Sequence, residues 1–165
     1  MDARRLVRHL FATRSRVARA FPARTLEAIE AAIEQSEREH SCEIRFAIES
    51  ALEPGEVWTG KTPRQRALEV FSALGVWDTE ANNGILIYLL LADRDVEIVA
   101  DRGFNGKVSA SEWASVCAAM ERGLREGRYE AAVLDGVRAA SALLVRHFPP
   151  GGRDVDQLPN RPAVL

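Results

Sequence analysis

An apolar run from Gly84 to Ala92 constrains this chain more than any other segment. Its centre, Ile85 to Leu91, has no polar face, which is typical of a strand buried on both sides in the middle of a sheet. The run is too short to cross a bilayer, because a membrane-spanning helix needs about 20 apolar residues. A sheet must therefore form around this strand. The chain has 165 residues, of which 47% are apolar, which is enough for about one domain.

Periodic patterns on either side of this run predict the elements that cover it. Residues 42–49 alternate between apolar and polar side chains, which predicts a strand with one partly solvated face. Residues 96–99 predict a second half-buried strand, and Pro and Gly predict a loop over residues 51–61. Apolar stripes and caps predict helices over residues 3–20, 22–39, 62–74, 109–125 and 129–147. The order α-α-β-α-β-β-α-α predicts an α/β fold in which helices sandwich a small mixed central sheet.

The predicted organisation has three parts, a basic amphipathic helix at residues 1–21, an α/β domain at 22–148 and a polar tail at 149–165. Residues 1–24 hold seven Arg and one acidic residue, whereas the rest of the chain holds 15 basic and 23 acidic residues. The chain therefore resembles a basic arm on an acidic body, although its total charge is only −2.

The basic arm suits an anionic membrane surface or an acidic protein partner, and it equally suits a helix packed on the domain with solvated Arg side chains. Peripheral membrane contact through residues 1–21 is one of these open alternatives. No base-stacking aromatic pattern accompanies the arm, so we expect no nucleic-acid partner. The sequence has no recognisable signal peptide or transmembrane segment, and its two cysteines are too few for a disulfide framework. We therefore expect a cytoplasmic protein, with membrane association as a further possibility.

One end of the predicted hairpin collects polar residues. A tight turn at Asp93-Arg94 places Leu86 opposite Asp101, so that the loop before the central strand meets the loop after the next strand. Carboxylate and amide oxygens there suit Ca²⁺ or another divalent cation, but Asn, Asp and Gly also occur simply as turn formers. Both interpretations stay open. The residues gathered at this end are Asp78, Glu80, Asn82, Asn83, Asp101, Arg102 and Asn105, of which Asp78, Asn82, Asn83 and Asp101 are the predicted cation ligands.

The opposite end of the hairpin carries Asp93, Arg94 and Asp95. We interpret it as a solvated turn, with Asp93 and Asp95 as an alternative cation cluster. Catalytic motifs are otherwise absent from the sequence: its three histidines lie in distant segments, and none pairs with a Ser or Cys. No phosphate loop or dinucleotide fingerprint occurs, so we expect no nucleotide cofactor. Cys42 and Cys117 are expected to act as small buried hydrophobes.

The segment from Trp77 to Ile87, with its Asn-Asn-Gly element, followed by Ala92-Asp93-Arg94 and Val96-Glu97-Ile98, resembles the TPM domain family. The resemblance covers residues from about 23 to 148 and is greatest to short, anchorless bacterial members. It implies an α/β sandwich with a mixed sheet, divalent-cation binding at loop carboxylates and a phosphatase activity. The matching polar positions are Asp78, Asn82, Asn83, Asp93, Arg94 and Asp101.

Two functional hypotheses follow from the residues and the resemblance. The favoured one is an interaction or assembly module that binds a membrane protein or another TPM-domain protein, with a cation as a modulator. The alternative is a metal-assisted acid phosphatase that hydrolyses phosphomonoesters, in which Asp101 and Arg102 are the catalytic candidates. The module is favoured because it needs no nucleophile–base pair, and the sequence shows none.

Overall fold

The computed structural model describes residues 3–12, 14–151 and 157–165. In these residues, seven α-helices and a four-stranded mixed sheet confirm the predicted α/β class. The helices are α1 (Ala3–Leu10), α2 (Arg14–Ala20), α3 (Ala23–Glu37), α4 (Pro54–Trp58), α5 (Pro63–Ala73), α6 (Ala110–Arg125) and α7 (Tyr129–His147). The strands are β1 (Glu43–Glu49), β2 (Gly84–Leu90), β3 (Asp95–Ala100) and β4 (Ala163–Val164).

The sheet is built around β2, whose seven residues are all buried. The strand order is β3-β2-β1-β4, in which β1 pairs in parallel with β2 and β4 while β2 and β3 are antiparallel. A parallel pair cannot be joined by a tight turn, and α5 provides the crossover from β1 to β2. The apolar run thus forms a central strand, as its lack of a polar face predicted.

The hairpin of β2 and β3 differs in register from the prediction. Leu86 lies opposite Val99 and not opposite Asp101, because the turn comprises residues 91–94 and not Asp93-Arg94 alone. A shift of two residues leaves every side chain on its predicted face, since side chains alternate with a period of two. The two flanking loops still meet, because Asp101 N–H donates to the Gly84 carbonyl at 3.0 Å.

The helices form two layers on the sheet. Odd-numbered residues of β2 pack in one core with α3, α6 and α7, and even-numbered residues pack in a second core with α4 and α5. This division follows from strand geometry, because successive side chains point to opposite faces. None of the helices in the described part of the chain is both long and apolar enough to cross a membrane.

The amino-terminal segment forms two helices, so the prediction of one helix over residues 3–20 is wrong. The reason lies in packing. Leu6 of α1 packs against the core on the α5 side of the sheet, whereas Val17 and Phe21 lie in the core on the α3 side. One straight helix cannot reach both faces of the sheet, and the helix ends at Leu10.

The prediction that β1 has a partly solvated face is also wrong. Glu43 and Glu49 are buried, because α5 and the carboxy-terminal segment cover this side of the strand. Glu43 accepts hydrogen bonds from the backbone N–H groups of Gln157 and Leu158 at 3.3 and 3.1 Å. The segment then adds β4 at the sheet edge, an element that its sequence did not indicate.

The caps predicted from the sequence are present at α5 and α6. Thr62 and Gln65 form a reciprocal capping box at the start of α5, and Ser109 and Glu112 do so at α6. A third box, formed by Glu53 and Glu56, starts the short helix α4 within the predicted loop. This helix start was not predicted, because Glu is an uncommon cap residue.

We expect the substitution Gly84→Ala to destabilise the fold. A Cβ atom at this position would overlap the backbone carbonyl of Val76, which a side-chain movement cannot relieve. The expected loss is at least about 2 kcal/mol of unfolding free energy, as for overpacked cores. Urea unfolding measures it. The matched control is Gly55→Ala, because open space surrounds that position; equal unfolding free energies for the two variants would contradict the packing argument.

Candidate functional site

The loops before β2 and after β3 meet as the sequence analysis predicted. Gly103 N–H donates to the Asn82 carbonyl at 3.0 Å, and Arg102 Nε donates to Asn82 Oδ1 at 2.7 Å. Asn82 adopts a left-handed backbone conformation, which Asn tolerates better than most residues. The structure thus joins Asn82 and Arg102, two of the predicted site residues, in one contact.

The other predicted ligands at this end do not converge in the same way. The Asn83 side chain donates to the Ser41 carbonyl beside β1. Asp101 accepts from the Arg102 backbone N–H at 2.7 Å, and Asp78 is exposed. Because Asp101 lies opposite Gly84, strand alternation directs Asp101 and Asn83 toward opposite faces of the sheet.

Two buried oxygen atoms at this end have no hydrogen-bond partner among the described residues, Asn83 Oδ1 and Asp101 Oδ2. Each could accept a further donor or contact a cation, since an unpaired buried oxygen is unfavourable. Within residues 3–12, 14–151 and 157–165, however, no three His, Cys, Asp or Glu side chains are grouped to hold a metal ion. Cation binding by the amide and carboxylate oxygens at this end is therefore a proposal.

The turn between β2 and β3 is a buried junction, which corrects its interpretation as a solvated turn. The side chain of Asp93 is only 9% exposed. Its Oδ2 atom accepts from Arg5 Nε at 2.9 Å, and its Oδ1 atom accepts from Arg8 at 3.0 Å. Because both oxygens are engaged by α1, Asp93 is poorly placed to form the alternative cation cluster with Asp95.

His9 completes this junction from the buried side of α1. Its Nδ1 atom accepts a hydrogen bond from Leu52 N–H at 3.0 Å, so the ring proton resides on Nε2. That Nε2 atom lies 3.2 Å from Asp93 Oδ2. Burial alone would raise the pKa of Asp93, but the hydrogen bonds from His9 and Arg5 outweigh it and hold the pKa below its usual range. The carboxylate therefore stays charged and fastens α1 to the sheet.

A second buried carboxylate lies at the end of β1. Glu49 accepts two hydrogen bonds from the Arg66 guanidinium, both at 2.8 Å, and one from the Tyr88 hydroxyl at 2.5 Å. Burial, followed by the contact with Glu49, raises the pKa of Tyr88, which keeps the hydroxyl protonated. These contacts fasten α5 to the sheet and leave no free nucleophile in this cluster.

An open groove runs along the outer side of β3. It has a volume of about 400 Å³ and lies between β3, α6 and the start of α5. Its lining includes Val96 and Ile98 of β3, and Trp113 and Cys117 of α6. Three alanines of α6 also line the groove, at positions 110, 114 and 118. Their small side chains at a spacing of four residues leave space beside the strand, since residues four apart share a helix face.

Side chains occupy the outer backbone groups of β3. Val96 N–H donates to Glu121 at 3.4 Å, and the Ile98 carbonyl accepts from Arg64 at 2.5 Å. Arg64 also lies 3.3 Å from Glu97. Charged side chains at a strand edge protect it from pairing with other chains indiscriminately. Cys117 also contacts the Ile98 backbone, so in the described part of the chain side chains cover this edge and no further strand does.

The groove has an acidic end. Burial, followed by the charges of Glu121, Glu97 and Asp93, raises the pKa of Asp95 to about 6. A cation placed beside this carboxylate would relieve that repulsion. The sequence places Asp95 in the predicted hairpin turn, and folding brings Glu121, 26 positions away, close to it.

Cys117 lines the groove but lacks the character of a nucleophile. Burial and the nearby charge of Glu97 raise the pKa of its thiol to about 12. Burial also raises the pKa of Cys42 to about 12. Since the thiolate is the reactive form of cysteine, both thiols are unreactive at neutral pH. Cys42 is buried as predicted, whereas Cys117 is partly exposed in the groove, so the prediction of a buried residue is not met there.

The fold and these sites define a class of protein: a mixed α/β sandwich with buried ionic junctions and an open groove at its edge strand. The TPM domain family model matches residues 16–143. The chain therefore belongs to the TPM domain family, as the Asn-Asn-Gly and Asp-Arg elements indicated. A search of curated proteins gives no match.

Solved structures share this fold. The BA42 protein of the psychrophilic bacterium Bizionia argentinensis is 30% identical, with a TM-score of 0.77 over 88% of this chain and 95% of that one. The N-terminal domain of a P. gingivalis protein is 19% identical, with a TM-score of 0.60 over 79% and 82% of the two chains. The N-terminal domain of the cg2496 protein from Corynebacterium glutamicum is 15% identical, with a TM-score of 0.54 over 74% and 72%.

The raised pKa of Asp95 predicts a pH-dependent stability. The folded state binds this proton more tightly than the unfolded chain, so the unfolding free energy falls as pH rises from about 4 to about 6. The substitution Asp95→Asn should add up to about 2–3 kcal/mol at pH 8 and almost nothing at pH 4. Urea unfolding at both pH values measures this. The control is Asp135→Asn, an exposed position of α7; a gain for Asp95→Asn that is the same at both pH values would contradict the assignment.

Proposed function

We propose that this chain is an interaction module that holds an extended, basic segment of a protein partner along β3. The observation that carries this proposal is the groove of about 400 Å³ beside the edge strand. An extended segment that adds to a sheet edge gains main-chain hydrogen bonds, and pockets beside the edge select its side chains. A membrane protein or another TPM-domain protein with such a segment would meet these requirements.

The lining of the groove supports an apolar side chain as the anchor of the partner. Trp113 and Cys117 are partly exposed, and Ala114 and Ala118 are exposed beside them. Aromatic residues at the centre of an interface contribute much of the binding energy when a partner covers them. An aliphatic side chain of the partner would fill the space that the alanines leave.

The backbone of β3 supports the extended conformation of the partner. Val96 N–H and the Ile98 carbonyl face outward and are bonded to Glu121 and Arg64. Both side chains belong to helices and can rotate away from the strand, since each is held there by rotatable bonds. A partner strand would then replace their hydrogen bonds with those of its own main chain.

The charge of the groove supports a basic partner. Asp95, Glu97 and Glu121 stand near one another, and their mutual repulsion contributes to the raised pKa of Asp95. A Lys or Arg side chain of the partner would neutralise this acidic end. Complementary charge of this kind favours association and discriminates against acidic segments.

Amide NMR spectra with two defined peptides test the proposal. One short peptide alternates valine and lysine, and the other alternates valine and glutamate. We expect the lysine peptide to shift the amide signals of β3 and of residues 110–121, and the glutamate peptide to leave them unchanged. If the lysine peptide moves no signal of β3, the proposal is wrong.

A groove-filling variant sharpens this test. Ala118→Trp occupies the groove and should weaken binding of the lysine peptide at least about tenfold, equivalent to about 1.4 kcal/mol. Its matched control is Ser115→Trp, an exposed position on the same helix outside the groove lining. The control should bind the lysine peptide as the wild-type chain does.

A second candidate function, metal-assisted hydrolysis of phosphomonoesters, is favoured by the unpartnered oxygen Asp101 Oδ2. A divalent cation there would polarise a phosphate ester, and Arg102 nearby would stabilise its negative charge. The exposed Asp78 and the Asn82 amide are the further ligands proposed for the cation. Binding of a partner along β3 does not require this cation site. A cation bound here would affect that binding only indirectly.

Thermal melting with Ca²⁺, with Mg²⁺ and with a chelator tests the cation site. A cation at 100 times its dissociation constant adds about 2.7 kcal/mol, which is on the order of 5–10 °C for a domain of this length. We expect Asp101→Asn to remove that shift while it keeps the local cap, since Asn is also a good cap residue. The control is Asp135→Asn. No shift with any divalent cation would exclude this second function.

A further inference from the structure

The amino-terminal helix exposes apolar side chains that the fold does not use. Val7, Leu10 and Phe11 are 51%, 55% and 78% exposed, and Trp58 on the neighbouring helix α4 is 64% exposed. Positions 7, 10 and 11 share one face of a helix, because residues three and four apart are neighbours. We call Val7, Leu10, Phe11 and Trp58 the α1–α4 surface.

The helix α1 carries apolar side chains on its outer side as well as on the side that faces the protein. Leu6 and His9 face the protein and are half-buried or buried, so burial of the inner side already accounts for the folding of α1. Large exposed apolar side chains on the outer side add nothing to that packing. Grouped exposed apolar residues of this kind mark interaction sites more often than isolated ones do.

The α1–α4 surface is held in place before any partner arrives. Arg5 donates to Asp93 at 2.9 Å and to the Lys61 carbonyl at 2.9 Å, and His9 accepts from Leu52 N–H. These bonds place α1 alongside α4, since Leu52 and Lys61 lie on either side of that helix. A preorganised surface loses little conformational entropy when it binds.

The charge of the amino-terminal segment indicates which kind of partner binds the α1–α4 surface. Seven Arg and one acidic residue occupy residues 1–24, whereas the rest of the chain carries a net −8. Exposed Arg4 and Arg8 lie on α1 with the apolar residues, and exposed Arg19 lies on α2. An anionic surface would therefore attract this end of the molecule and repel the acidic body, which fixes the orientation of approach.

We propose that the α1–α4 surface docks on an anionic phospholipid bilayer, with Phe11 and Trp58 inserted among the headgroups and the arginines on lipid phosphates. Phe11 directly follows α1 and protrudes from the protein with 78% of its side chain exposed, and a deformable surface receives such a side chain more readily than a rigid one. A helix with Arg on its flanks and aromatic and aliphatic residues at its outer face is suited to lie in the plane of a membrane interface. The β3 groove is lined by residues of β3, α5 and α6 and by none of the four residues of this surface.

Flotation of the full chain with lipid vesicles tests the proposal. We expect the chain to float with vesicles of phosphatidylcholine that contain phosphatidylglycerol, and not with phosphatidylcholine alone. Added salt should release it, because salt screens attraction between exposed charges. If the chain does not float with the anionic vesicles, the proposal is wrong and the surface serves a protein partner instead.

Matched variants distinguish docking through the α1–α4 surface from nonspecific adsorption to the vesicles. The double substitution Phe11→Ser and Trp58→Ser should lower the vesicle-bound fraction at least about tenfold. The control is Trp77→Ser, which changes another exposed aromatic residue, 54% exposed, in the loop that precedes β2 at the opposite end of the sheet. Trp77→Ser should bind as the wild type does. Equal losses in the two variants would contradict the proposal.

A spectroscopic measurement gives an independent readout. With Trp77→Phe and Trp113→Phe, Trp58 is the remaining tryptophan of the chain. Its fluorescence should shift to the blue when anionic vesicles are added, because the indole enters a less polar environment. Unchanged emission despite flotation would place the contact elsewhere on the protein and overturn the assignment of Trp58. Far-ultraviolet circular dichroism of each variant verifies that it is folded.

Discussion

Burial of β2 on both of its faces and along both of its edges is the constraint on which the rest of this structure depends. Its seven residues are all buried, so the chain must supply a strand on each side and a helical layer above and below. The parallel pairing with β1 requires the crossover helix α5, which covers one face. The helices α3, α6 and α7 cover the other face. The strand β3 is left at the edge of the sheet, where side chains and not a further described strand cover its outer side.

Buried carboxylates connect the covering helices to the sheet. Asp93 fastens α1 through two arginines and His9, and Glu49 fastens α5 through Arg66 and Tyr88. Removing one partner from such a buried cluster leaves an uncompensated charge, which is strongly unfavourable. The polar groups of these clusters thus have a structural role. Binding is accordingly proposed at the β3 groove and the α1–α4 surface, where apolar groups and charges are exposed.

Much of the fold could be predicted because its main elements carry local signals. The central strand was visible as an apolar run. Thr62 marked the start of α5 as an N-cap followed by Pro63, and Ser109 and Glu112 marked the start of α6 as a capping box. The loops at Asn82 and Asp101 were expected to meet, and they do. The short helix α4, the strand β4 and the break between α1 and α2 were missed. The strand β4 and the break between α1 and α2 depend on contacts with distant parts of the chain, whereas α4 begins at a Glu cap that is uncommon in helices.

The sequence by itself determined the family, the α/β class and the faces of the strands, because alternation and helical periodicity are properties of neighbouring residues. Tertiary structure decided which polar residues are available. Asp93 and His9 are 84 positions apart, and Asp95 meets Glu121 across 26 positions. Only packing determines whether such a carboxylate is neutralised by an arginine or repelled by another acid. The environment of a charge is set by the residues that folding brings to it, and no pattern along the chain encodes that environment locally.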